Sequence, residues 1–186
     1  YGSQTPFGSS TAGAVTLAAT VATSDLTAAG MIARLPASPR FVGDRFDVQI
    51  SAHTGAAAFA LVGWALNLVF DPQVLQLAAS SFNTVYSTPT FTSDNTAGTF
   101  NVVATGLSSG STNADVQGQD SLQLITLTFD VSGGSGAQAN VLSGVVGSFV
   151  NQGTQKYVSD ATLAVTDARG GVQSSGTLLL ESVVGV

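Results

Sequence analysis

The sequence predicts an all-β protein built as two antiparallel sheets packed face to face, and three observations carry that expectation. Apolar side chains recur at every second position in separate stretches, most clearly Trp64, Leu66, Leu68 and Phe70, and again Ile125, Leu127, Phe129 and Val131. That is the period of a strand with one face in a core. No helical period is sustained anywhere along the chain. The alternating stretches are bounded by turn-forming clusters such as Asp71-Pro72 and Gly133-Gly-Ser-Gly136, giving about nine or ten strands in a sandwich.

Taken in order, residues 1–13 have the Gly, Ser, Thr and Gln composition of a flexible arm. Within the extension 14–30, Val15, Leu17, Ala19 and Val21 alternate with smaller residues as a first strand. The sandwich proper is expected over 31–167. Met31 to Leu35 is a short strand ended by prolines, and Phe41-Val-Gly-Asp-Arg45 is a turn leading into Phe46, Val48 and Ile50. The central strand, Trp64 to Phe70, stops at Asp71-Pro72, where Asp caps free N–H groups and Pro fits a single helical turn. Residues 79–97 read as loop, Phe100 to Ala104 as strand, and 106–120 as loop again. Leu122 and Leu124 have the opposite parity to Ile125, which predicts a β-bulge near Leu124. Val141 to Val150 and Leu163 to Val165 are further strands, and the extension 168–186 carries a last one, Thr177 to Val184.

Composition restricts the function. At 186 residues the chain supports one substantial core. Charged residues make up only 9%, and four Arg plus one Lys in a chain of net charge −6 cannot form the basic stripe that nucleic acid requires. No uninterrupted apolar run is long enough for a membrane span. With no cysteine, disulfides and thiolate metal sites are excluded. A neutral, Ser/Thr-rich surface with a single Lys fits an extracellular or cell-surface protein, and the start at Tyr1 fits a processed chain or a fragment. No Asn-x-Ser/Thr sequon occurs, so a glycoprotein of this sequence would carry O-linked sugars.

The order of motifs resembles the cohesin domain. Val42-Gly-Asp44 enters the strand Phe46-Asp-Val-Gln-Ile50. Next comes Gly63-Trp-Ala-Leu-Asn-Leu-Val-Phe-Asp-Pro-Gln-Val-Leu-Gln-Leu77, an alternating strand closed by Phe-Asp-Pro and a Val-Leu pair. Ser121 to Val131, with the Gly-rich turn after it, is similar to a later strand of that family. The resemblance covers roughly 31–167. It implies a cohesin-like jelly roll of about nine strands, found in extracellular scaffolds and cell-surface proteins, with a dockerin-like protein as the family's partner. The family's partner contacts are not motif-like, and none is assigned to this chain.

No catalytic constellation emerges. Gly106-Leu-Ser-Ser-Gly110 matches the pattern of a hydrolase nucleophile elbow, but that elbow needs a helix after the turn, and loop residues follow here. His53, just past a strand end, is the one imidazole and lacks companion ligands. Asp94, Asn95, Asn113, Asp115 and Asp120 are oxygen donors that calcium would use, yet their spacing fits no calcium loop and turn formation is the preferred reading. No cofactor is therefore expected, with Ca²⁺ the alternative.

Phe46, Trp64, Phe70, Phe100 and Phe129 fall on inward parity and belong to the core. Phe82, Tyr86 and Phe91 lie together in the 79–97 stretch, where they either cap the sandwich or, with Tyr157, contact a partner or glycan. The expected function is a non-catalytic assembly module acting on protein partners or copies of itself. A dockerin receptor and a polysaccharide-binding module are the alternatives.

Overall fold

The computed structural model describes residues 15–17, 30–53, 58–104, 106–109, 114–117, 122–134, 136–137, 141–151 and 179–183. Its strands are β1 (Val15–Thr16), β2 (Gly30–Pro36), β3 (Arg45–His53), β4 (Ala58–Phe70), β5 (Leu75–Phe82), β6 (Thr90–Asp94), β7 (Thr99–Ala104), β8 (Ala114–Gln117), β9 (Leu122–Val131), β10 (Gly136–Ala137), β11 (Leu142–Asn151) and β12 (Leu179–Val183). They form two five-stranded sheets. One runs β12-β2-β3-β9-β5; the other runs β11-β4-β7-β6, with β8 beside the first part of β4. A two-residue pair, β1 with β10, stands apart.

The sandwich forms because parity and register agree. Trp64, Leu66, Leu68 and Phe70 of β4 are buried, and so are their cross-strand partners Ala104, Val102 and Phe100 on β7. From the facing sheet come Met31, Ala33 and Leu35, then Phe46, Val48 and Ile50, then Ile125, Leu127, Phe129 and Val131. Phe70 meets Phe129 across the two sheets, ring centroids 5.2 Å apart and steeply tilted, so the layers interlock through aromatic edges. The expected bulge is present: Ile50 pairs with Ile125 and Ser51 with Gln123, which leaves Leu124 unpaired, so Leu124 and Ile125 can both be buried.

The corner after β4 is held from several sides. The Asp71 side chain accepts the N–H of Gln73 (2.9 Å), its carbonyl accepts that of Leu75 (2.8 Å), and its own N–H donates to the Val141 carbonyl (2.9 Å). The N–H of Phe70 donates to the carbonyl of Gly98 (2.8 Å), which docks the β6–β7 turn onto the same corner. Gly98 has φ +66°, and a Cβ there would lie 2.0 Å from the Phe70 carbonyl oxygen. Only glycine fits this approach.

Several expectations change. The 79–97 stretch is not one loop, since β5 runs to Phe82 and β6 occupies Thr90–Asp94. Both are edge strands in which small polar residues dilute the two-residue period. β8 forms within the expected 106–120 loop, paired with Ala58–Leu61 of β4. The sheets are also not purely antiparallel. β12 pairs with β2 in parallel, as β1 does with β10. β12 follows β11, which lies in the other sheet, so no hairpin dictates its direction. His53 is the last residue of β3 rather than a residue past it. Leu163–Val165 and residues 18–21 lie outside the described residues.

Candidate functional site

The two outer faces differ in chemistry. On the β2-β3-β9-β5 side, Arg45 and Asp130 stand opposite each other on β3 and β9 and form a two-pronged ion pair of 2.7 and 2.9 Å. The Arg45 hydrogen bond, with its positive charge, holds the Asp130 carboxyl below the usual carboxylate range. Beside it, the Thr128 hydroxyl donates to Asp47 (2.7 Å), and Gln123 donates to the Thr126 hydroxyl (2.7 Å). That face pairs Arg45, Asp130 and Asp47 with neighbours on its own strands.

The outer face of β11-β4-β7-β6 is uncharged apart from one residue at its margin. Its rows are Ala65–Val103–Thr90, Asn67–Asn101–Thr92 and Ser143–Val69–Thr99–Asp94. Val69 and Val103 are 52% and 41% exposed, far more than strand valines in a closed core. The Asn67 and Asn101 amides, directly opposite each other and exposed, make no side-chain hydrogen bond to a described residue. Asp94 is engaged in its own turn, its carboxylate accepting the N–H groups of Thr96 (2.8 Å) and Ala97 (3.0 Å). The result is a surface of short side chains with apolar points and amides open to solvent, a composition that a protein partner can cover without burying charge.

The aromatics of the 79–97 stretch separate into two environments. Tyr86 is buried; its hydroxyl donates to the Leu61 carbonyl (3.2 Å), and its ring meets Trp64 at 90° and 5.9 Å. Burial pushes its phenol well above the usual tyrosine range. Tyr86 therefore caps the core and is not part of an exposed platform. The Trp64 indole N–H is buried and has no hydrogen-bond partner among the described residues.

Phe91 pairs with core residue Val102, so it lies on the inner face of β6, yet it remains 46% exposed at the open edge of the sandwich. Its ring is 5.7 Å from Phe100 and 5.4 Å from Phe82, which ends the edge strand of the opposite sheet. Phe82 and Phe91 thus close the seam between the layers. Tyr157 lies outside the described residues.

Near the seam, residues 82–89 and 106–108 border a cavity of about 320 Å³, lined by Phe82, Asn83, Thr84, Tyr86, Thr88, Pro89 and Ser108. Ser108 donates its hydroxyl proton to the Thr84 carbonyl (2.8 Å), and its N–H donates to the Val85 carbonyl (2.8 Å). The Gly106–Gly110 pattern thus supplies a loop clasp at Ser108. Of the calcium candidates, Asp94 caps a turn and Asn95 holds the Leu77 backbone in a double hydrogen bond (2.8 and 3.0 Å). Asp115 lies on β8, and Asn113 and Asp120 are outside the described residues. Among the described residues no three His, Cys, Asp or Glu side chains converge. No helix is long and apolar enough to cross a membrane.

Asn67, Val69 and Asn101 alternate with the inward residues of β4 and β7, and nothing in their local sequence marks them for a role. A β-branched apolar residue at outward parity was the available signal at Val69 and Val103. Thr84 and Thr88 carried no signal, and Ser108 only that of the Gly106–Gly110 pattern, because their proximity depends on two loops meeting.

No family model matches the sequence, and no curated protein matches it. Solved structures do match. The seventh ScaB type I cohesin from Pseudobacteroides cellulosolvens is 16% identical, with 86% of this chain and 96% of that one covered, at a TM-score of 0.46. The cohesin module of a Clostridium perfringens family 33 glycoside hydrolase is 8% identical, with 84% and 99% covered, at 0.47. A type I cohesin–dockerin complex from Clostridium thermocellum, Coh-OlpA with Doc918, is 10% identical, with 84% and 99% covered, at 0.47.

Proposed function

We propose that this chain is a non-catalytic module of an extracellular scaffold or cell-surface assembly, and that it docks a protein partner on the outer face of the β11-β4-β7-β6 sheet. The observation that carries this reading is the contrast between the faces: one bears charges that pair among themselves at Arg45, Asp130 and Asp47, whereas the other leaves Val69, Val103 and the Asn67–Asn101 pair open. The occupant is a separate protein that is less acidic than this chain, because two copies at −6 each repel at long range. The cohesin-like motifs around Val42-Gly-Asp44 and Phe70-Asp-Pro72 support a dockerin-like partner.

The test is affinity capture from the extracellular fraction of the source, followed by rebinding of the purified captured protein to Val69→Arg and Val103→Arg variants. Each substitution places an unpaired charge in the contact and is expected to weaken binding by tenfold or more, about 1.4 kcal/mol. Undiminished binding by both folded variants rules the face out. Multimers of the isolated chain in light scattering that dissolve on Val69→Arg would instead make a second copy the occupant.

A further inference from the structure

The cavity beside the Phe82–Phe91 seam is separate from the docking face and has its own chemistry. Its lining contains no charged side chain. A charged ligand would lose hydration there with nothing to pair against, so the cavity selects for a neutral one. Its volume lies at the lower end of small-molecule sites, roughly 300–1,000 Å³. Half-buried Phe82, buried Pro89 and the Tyr86 ring supply apolar wall.

The polar groups are short and specific. Asn83 is oriented by the loop, accepting the Val85 N–H (2.9 Å) and donating one N–H to the Gln123 carbonyl (2.8 Å). The Tyr86 hydroxyl is committed to Leu61. Ser108 donates to Thr84, which leaves its oxygen lone pairs as acceptors. The exposed Thr84 and Thr88 hydroxyls make no hydrogen bond to a described residue and can each donate and accept.

The walls are also preorganised. Asn83 secures the loop to β9, the Ser87 hydroxyl donates to the Gly106 carbonyl (3.0 Å), and Ser108 secures it from the other side. A ligand entering here does not have to order the loop.

We infer that this cavity binds a neutral saccharide, with the apolar face of a sugar ring against Phe82 and its hydroxyls on Thr84, Thr88 and the Ser108 oxygen. An aromatic wall edged by short hydroxyls matches a pyranose, which has an apolar face and a rim of groups that both donate and accept. A peptide would need open backbone partners, and the backbones of Val85, Ser87 and Ser108 are already hydrogen-bonded across the two loops.

The experiment is an NMR titration of the ¹⁵N-labelled chain with cellotriose, mannotriose and chitotriose, each taken to tens of millimolar, with trigalacturonate as the charged comparison. The expected result is saturable amide shifts confined to residues 82–89 and 106–109 with at least one neutral sugar. The double variant Thr84→Val/Thr88→Val, whose side chains are exposed and leave the core intact, should weaken that response at least fivefold. The inference is overturned by shifts that are absent or scattered over other surfaces for all three neutral sugars, by a double variant that binds as the wild type does, or by trigalacturonate binding as tightly as the neutral sugars. Phe82→Leu gives a second reading through the wall rather than the hydroxyls, and binding that survives it unchanged also counts against the site.

Discussion

Tyr86 and Trp64 show how one buried pair divides polar and apolar roles. The Tyr86 hydroxyl reaches the Leu61 carbonyl, whereas the Trp64 N–H finds no partner among the described residues. Tyr86→Phe should therefore cost about 1 kcal/mol, because it removes a buried hydrogen bond to the Leu61 carbonyl. Trp64→Phe loses packing volume but no hydrogen bond, so the polar share of its cost should be absent when urea midpoints are compared. The phenol also sets an alkaline limit. Its ionisation is raised by burial, so its contribution is complete below the ordinary tyrosine value near about pH 10 and disappears as pH climbs through the raised one. Stability measured against pH should fall on that limb in the wild type and stay flatter in Tyr86→Phe. Gly98→Ala should be far more damaging than either change, by about 3 kcal/mol or more, because backbone and not a flexible side chain occupies the Cβ position.

Strand edges are managed by side chains at the scale of elements. β5 ends its sheet, and Asn95, on the β6–β7 turn, pairs with both polar groups of Leu77 beside the β5 bulge. This closes a short part of an edge that another strand could otherwise extend. Asn95→Ala should lower stability by about 1–2 kcal/mol and raise the tendency to self-associate in sedimentation experiments. Across β3 and β9, the exposed Arg45–Asp130 pair adds an acid limb. The Asp130 carboxyl is held low mainly by its hydrogen bond from Arg45, so its contribution is complete above the ordinary carboxylate value of about 4 and is lost as pH falls through the lowered one. Asp130→Asn should flatten the urea midpoint below about pH 4 and leave it level with the wild type's slope at neutral pH.

For the molecule as a whole, the sandwich separates a finished surface from an unfinished one. Layers locked by Phe70 on Phe129 and sealed by Phe82 on Phe91 make a rigid block, so the outer face of β4 and β7 can keep exposed valines without local collapse. Rigid presentation of a face with little charge favours binding, since little ordering is left to be done on contact. The same rigidity holds the seam cavity open. The Val69→Arg and Thr84→Val/Thr88→Val experiments should therefore be independent of each other, each affecting its own ligand and leaving the other's binding unchanged.

The sequence by itself determined the class of fold, the positions of the main strands, the Asp71-Pro72 corner, the bulge at Leu124 and the aromatic core. All of these follow from the local two-residue period and turn chemistry, which are properties of neighbours along the chain. It did not determine β6 or β8, whose short polar strands exist because β7 and β4 offer them an edge. Nor did it separate Tyr86 from Phe82 and Phe91, which look alike in sequence; one lies under Trp64 and the other two lie at the rim. Only the tertiary structure decided which outward residues remain uncovered and which two loops meet around a cavity, because exposure and proximity depend on strands and loops distant in sequence.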